Sequence, residues 1–315
     1  LYREELTVRY NALFKTIQRD EDSAGFISPK ALQLCDPFKR TVTSSCNANV
    51  PPSSSWDVFE HPTMALEQIP SIPPLVGLAY RSELFSANLN RSAPAVNIRL
   101  LRLYLGRELP NHIEELQEGL RSDLALDVGR YNRLSDALED IAVLPPLSNV
   151  ARGMGTVLSQ LHWGVGVDGM DAELVMGGDG LHGLRCWVLD FNQCARWLVP
   201  TPLANLGTKS LTSGAYASGD LKEGAIRLAR RIANCEQYYP KPSQDLYVDF
   251  KSGYEQTTLQ LVDAHRPNQP SREWELASRA VIEASRAFLT EFEDIDLQKR
   301  MARTGKERPE EGGGS

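Results

Sequence analysis

Cysteine is scarce in this chain, and what there is lies in no pattern. The five residues, Cys35, Cys46, Cys186, Cys194 and Cys235, are odd in number, scattered and free of any CxxC pair. Such spacing indicates neither a disulfide framework nor a zinc site, so no metal is expected and buried free thiols in a cytosolic setting are. Long apolar runs are absent too. None approaches the roughly 18 residues of a membrane-spanning helix, and the first residues read as a charged helix rather than a signal peptide. Basic residues are outnumbered, 34 Lys and Arg against 41 Asp and Glu, for a formal net charge of −7. That balance disfavours non-specific nucleic-acid binding, DNA included, but leaves room for a local basic face. No internal repeat is visible. No Gly-rich phosphate loop with a following strand lysine precedes the helical pattern of residues 2–17, so a nucleotide site would lack its cradle. The chain opens at Leu1 rather than Met, which leaves open an upstream piece carrying further strands.

What is present suffices for a sizeable core: 42% of the 315 residues are hydrophobic and 24% charged. Helical spacing is expected over 2–17, 113–120, 131–141, 147–163, 221–235, 243–264 and 271–299. Strands are expected over 63–69, 97–106, 174–176 and 187–189. Loops are expected over 47–55 and 207–219, and residues 70–74 should be extended, since a residue preceding proline avoids the helical region. These elements divide the chain into a strand-rich N-terminal lobe (1–106), a helical lobe carrying a hairpin (107–300) and a disordered tail or linker (301–315). The fold class expected is α+β.

The most informative stretch runs from Leu161 to Cys194 (LHWGVGVDGMDAELVMGGDGLHGLRCWVLDFNQC). A helix ends at His162-Trp163, and an acidic loop follows with Asp168, Asp171 and Glu173. A Gly-rich hairpin then delivers Asp190-Phe191. Convergent carboxylates on a short rigid support suit metal binding, a general base, or grip on a cationic substrate. Taken singly, acids such as Asp171 and Asp179 are more often turn residues. His162 is more often a capping or packing histidine, Trp163 and Trp187 are more often core, and His182 is incidental. The order of the pieces is more specific than any member.

That order resembles the active-site segment of aminoglycoside phosphotransferases and choline kinases, H-G-D-x-x-x-x-N followed by a hairpin and I-D-F/W. Gly166-Val167-Asp168 lies on the first motif, Glu173 on its Asn, and Leu189-Asp190-Phe191 on the second. The resemblance implies a protein-kinase-like fold with a reduced N-terminal lobe, Asp168 as catalytic base and Asp190 as metal-binding aspartate. Here Gly166 replaces the motif's His, and Glu173 its Asn. A second resemblance rests on LEQIPSIPP, IRLLRLYLG, LHWGVGVDGMDAELVMG and WVLDFNQC, over about residues 60–260. These pieces are similar to a fungal domain family of unknown function, often mislabelled zinc-finger protein, which includes the arginine-containing cyclodipeptide synthases.

The second resemblance implies a transferase of fungal secondary metabolism. It would take arginyl-tRNA and a second aminoacyl-tRNA and release a cyclic dipeptide, with no cofactor. Asp168, Asp171 and Glu173 then match the family's acidic motif, although its two adjacent aspartates are not adjacent here. Asp168 suits proton abstraction from the attacking amine, and Asp171 or Glu173 the substrate guanidinium. Asp190, His162, Trp163 and Asn192 are candidates for contact with substrate. Arg99, Arg102 and Arg107, or Arg227, Arg230 and Arg231, are candidates for tRNA, against the commoner role of a solvated charged face. Two alternatives stay open: a small-molecule phosphotransferase of the aminoglycoside/choline kinase type, and a catalytically inactive kinase-like binding module.

Overall fold

The structure, a computed structural model, describes residues 26–29, 31–36, 41–44, 63–92, 98–114, 123–139, 144–181, 183–191, 193–197, 218–235 and 238–306. The expected helix at 2–17, the loop at 47–55, nearly all of the loop at 207–219, His182 and Asn192 lie outside the described residues; of the tail expected over 301–315, residues 301–306 instead continue the last helix, and 307–315 lie outside the described residues. The chain is α+β, and it forms two compact units that do not follow one cut near residue 106. The first combines 1–104, 108–146 and 172–192; the second combines 105–107, 147–171 and 193–315.

In the first unit, strands β1 (Phe26–Ile27), β5 (Leu100–Tyr104), β6 (Asp123–Asp127), β7 (Glu173–Gly178) and β8 (Leu184–Leu189) form a mixed sheet ordered β1-β8-β7-β5-β6. The outer pairs are parallel and the inner ones antiparallel. Strands β2 (Ala31–Asp36), β3 (Thr41–Ser44) and β4 (Thr63–Leu66) form a separate antiparallel sheet. Alternation explains β5: Leu101 and Leu103 are buried on one face, while Arg102 points to the other. The expected hairpin is present, with Val175 opposite Trp187 and Glu173 opposite Leu189.

Helix α1 (Pro74–Leu84) follows the extended proline segment, with proline at its first position, where the missing N–H costs nothing. It buries Val76, Tyr80 and Leu84, and the Tyr80 hydroxyl donates to the Ala125 carbonyl (2.7 Å). A short α2 (Ala87–Ser92) comes next. The helix expected at 113–120 is corrected at its start, because Ile113 forms a β-bridge with Phe85; residues 115–120 lie outside the described set. Helix α3 (Val128–Leu138) is capped by Asp127, whose Oδ1 accepts from the Arg130 amide (2.9 Å).

The second unit is helical: α4 (Leu147–Ser159), α5 (Ser218–Cys235), α6 (Tyr247–Ala264) and α7 (Arg272–Lys306). Helices α4 and α6 meet backbone to backbone. A Cβ at Gly155 would collide with the Phe250 carbonyl, and one at Gly253 with the Arg152 carbonyl. Helix α5 packs on α7. Tyr254 of α6 stacks on Phe288 of α7 with ring centroids 5.1 Å apart. Among the described residues no helix is long and apolar enough to cross a membrane.

Candidate functional site

In the second unit, the site is built from the end of α4. The helix buries Val150, Met154, Val157 and Leu158, then widens into a π-turn over Gln160–Val165. A π-turn inserts one residue into the helical repeat. Here it accompanies complete burial of both His162 and Trp163. Gly166 (φ 80°) ends the turn in the left-handed conformation, which glycine adopts without steric cost. Val167 then bridges Arg196, and the Asp168 amide donates to the Ala195 carbonyl (2.9 Å).

Proton inventory gives the polar network behind this loop its direction. Trp163 Nε1 only donates, and it reaches the Tyr254 hydroxyl at 2.9 Å. That hydroxyl spends its own proton on His162 Nδ1 (2.8 Å), which leaves Nε2–H to donate to the Asp168 carbonyl at 3.3 Å. Burial lowers the His162 pKa to about 3, so the ring is neutral, as the relay requires. Burial also raises the Tyr254 pKa, which keeps its proton in place. His162 and Trp163 therefore hold the Asp168 backbone from behind. Tyr254, which no sequence signal singled out, is the hub.

The Asp168 carboxylate is buried. Its Oδ1 accepts from the amides of Ala195 (2.8 Å) and Met170 (3.2 Å). Its Oδ2 lies 2.8 Å from Arg231 Nη1, an ion-pair distance, yet no described residue donates to it in hydrogen-bonding geometry. Asp171 sits in the turn that follows, at φ 62°, a conformation Asp adopts more readily than most residues.

No protein-family model, curated protein or solved structure matches this chain.

In the first unit, Glu173 opens β7 and is ion-paired and hydrogen-bonded to Arg102 Nη1, while Arg102 Nη2 lies 3.4 Å from Asp123 Oδ2. The Glu173 carboxyl has a raised pKa. Burial is the main cause, Arg102 opposes it, and the charges of Asp190 and Asp123 add to it. Asp190 follows β8 at φ 59°. Asp179, at the hairpin tip, accepts from the amides of Leu181 and Gly183 and is a turn residue. Among the described residues no group of three or more His, Cys, Asp or Glu is placed to hold a metal ion.

Most of the arginines named as tRNA candidates are ion-paired within the chain. Arg102 is occupied by Glu173 and Asp123. Arg227 pairs with Glu223 and Arg230 with Glu291, while Arg231 turns to Asp168. Arg99 and Arg107 are exposed, one in each unit. The acids Asp168 and Asp171 belong to the second unit and Glu173 and Asp190 to the first.

Proposed function

We propose that this chain is a tRNA-dependent aminoacyl transferase. It joins arginine from arginyl-tRNA to a second aminoacyl group and releases a cyclic dipeptide, on a fold related to protein kinases and aminoglycoside phosphotransferases. The observation that carries the reading is the Asp168 carboxylate. One oxygen is fixed by two amides, and the other, among the described residues, meets the Arg231 cation of α5 without an aligned hydrogen-bond donor. A carboxylate held this way is pre-aimed to receive a substrate ammonium and take its proton.

The chemistry balances without a cofactor. Asp168 takes a proton from the α-ammonium of one aminoacyl ester. The freed amine attacks the carbonyl of the other ester, a C–N bond forms, and the C–O bond to tRNA breaks. The nitrogen gives up its second proton to the departing ribose oxygen, and Asp168 passes the first to solvent, which readies it to deprotonate the remaining α-ammonium. A second attack, by the remaining α-amine on the remaining ester, closes the ring and frees the other tRNA. Both esters are already activated, so a phosphate cradle has no task here. Support for the kinase-like fold is the chain order: helix, His162, Asp168, hairpin, Asp190-Phe191. The setting proposed is cytosolic, with aminoacyl-tRNAs as partners. Asp171 or Glu173 remains the proposed guanidinium partner.

The test is mass spectrometry of small molecules from a host expressing the chain, beside Asp168→Asn and Glu173→Gln. A new arginine-containing cyclic dipeptide that disappears in the Asp168 variant supports the transferase. Absence of any such product, with ATP raising the melting temperature of the protein, points to the phosphotransferase instead.

A further inference from the structure

We infer that Asp168 Oδ2 is a receptor for a substrate cation and that Arg231 is its displaceable internal occupant. This deepens the proposed reaction, on which the choice of an aminoacyl ester as ligand rests. The asymmetry of the pair is the starting point. The Asp168 side chain is 1% exposed, whereas that of Arg231 is 52% exposed. The cation therefore covers the carboxylate from the solvent side and remains half in water itself. Oδ1 is committed to the amides of Ala195 and Met170. Oδ2, the oxygen facing Arg231, is buried and accepts no hydrogen bond from any described residue in spite of the 2.8 Å approach.

A buried carboxylate oxygen in ion-pair contact without an aligned donor is a receptor imperfectly filled. A well-placed N–H from a guanidinium or an ammonium would add the charge-assisted hydrogen bond that Arg231 fails to make. The Arg231 side chain spans from the exposed face of α5 and is free to swing into water at small cost, because half of it is there already. Other acids near α5 receive ordinary surface pairs, Glu223 with Arg227 and Glu291 with Arg230. Arg231 alone of the three reaches a buried acid, which sets it apart from a solvated charged face.

Two substrate groups have the required chemistry, the α-ammonium of an aminoacyl ester and the guanidinium of its arginine side chain. Calorimetric titration of the intact chain separates them with three probes. L-arginine methyl ester carries both cations, L-citrulline methyl ester keeps only the ammonium, and Nα-acetyl-L-arginine methyl ester keeps only the guanidinium. Removing the occupant by Arg231→Ala tightens binding of L-arginine methyl ester by on the order of tenfold, since the ligand no longer competes with a resident cation. Arg231→Lys, which keeps a cation in place, stays near the parent affinity. Asp168→Asn added to Arg231→Ala removes the gain. The probe that retains the gain identifies the cation received.

Circular dichroism melts establish that the compared variants are folded. Arg231→Met, which keeps the aliphatic bulk, carries the comparison should the alanine variant not fold. Weaker or unchanged binding after loss of Arg231 overturns the inference and makes Arg231 a fixed part of the Asp168 support. Binding is read without tRNA, so the two proposals fail separately. A chain that makes the dipeptide but shows no gain refutes the receptor alone. A chain that shows the gain but makes no dipeptide refutes the transferase alone.

Discussion

Replacing Tyr254 by Phe removes one oxygen atom and leaves two buried groups without a partner. Trp163 Nε1 loses its acceptor at 2.9 Å and His162 Nδ1 its donor at 2.8 Å, and neither residue has any exposure to water. A buried polar group left unsatisfied costs about 1–3 kcal/mol, so the pair costs roughly 2–6 kcal/mol. The ring itself is retained, and with it the stacking on Phe288, so no cavity term of aromatic size is added. The comparator is Tyr247→Phe on the same helix. Its hydroxyl donates to Glu293 at 3.1 Å, and the glutamate is partly in solvent. That loss should cost under about 1 kcal/mol. Urea unfolding followed by circular dichroism, with midpoints compared at equal slope, gives both numbers. If Tyr254→Phe costs no more than Tyr247→Phe, the relay from Trp163 to the Asp168 backbone is not a structural unit.

Three further outcomes follow from the same geometry. His162 has its pKa lowered to about 3 by burial, below the unfolded value of 6.5. The unfolded chain therefore binds this proton first, and stability falls as pH drops from about 6.5 toward 3 by up to roughly 1.4 kcal/mol per unit; the slope difference between the parent and His162→Gln in urea melts reads it. Gly155→Ala drives a methyl into the Phe250 carbonyl and should cost on the order of 1–3 kcal/mol or more, seen as a lowered thermal midpoint. Arg102→Met leaves Glu173 to burial and to the charges of Asp190 and Asp123. Its carboxyl pKa rises further, and stability is lost as pH rises through the window above its unfolded value; NMR titration of the Glu173 carboxyl reads the shift, and no change would contradict the pairing.

The hairpin was legible because its strands are apolar runs bounded by Gly and Asp, a local signal. Helix α4 was legible through its 3.6-residue spacing, but its π-turn was not: an inserted residue within Gln160–Val165 leaves no mark in composition. Helix α1 was hidden by the prolines before it, which read as extended until Pro74 becomes the first helical residue. The interleaving of the two compact units along the chain leaves no mark in composition. Strand β5 pairs with β6 and β7 on either side, so the hairpin joins the sheet of the first unit rather than the helices around it. Side-chain partners were the least visible. The spacing of Arg227, Arg230 and Arg231 describes one helical face, yet Arg231 answers to an acid 63 positions earlier in the chain, at Asp168. Tyr254 carries no sequence signal of its role, because nothing local records where a hydroxyl points.

The proposed transfer is tested most directly with purified protein and arginyl-tRNA charged on [14C]arginine, freed of ATP and synthetase, plus an unlabelled mixture of the other aminoacyl-tRNAs. The proposed chemistry gives labelled cyclic dipeptide with the parent chain and none with Asp168→Asn, and mild base that strips the esters beforehand abolishes it. Label that stays on tRNA or appears only as free arginine with the folded parent chain, at the same level as with Asp168→Asn, would contradict it.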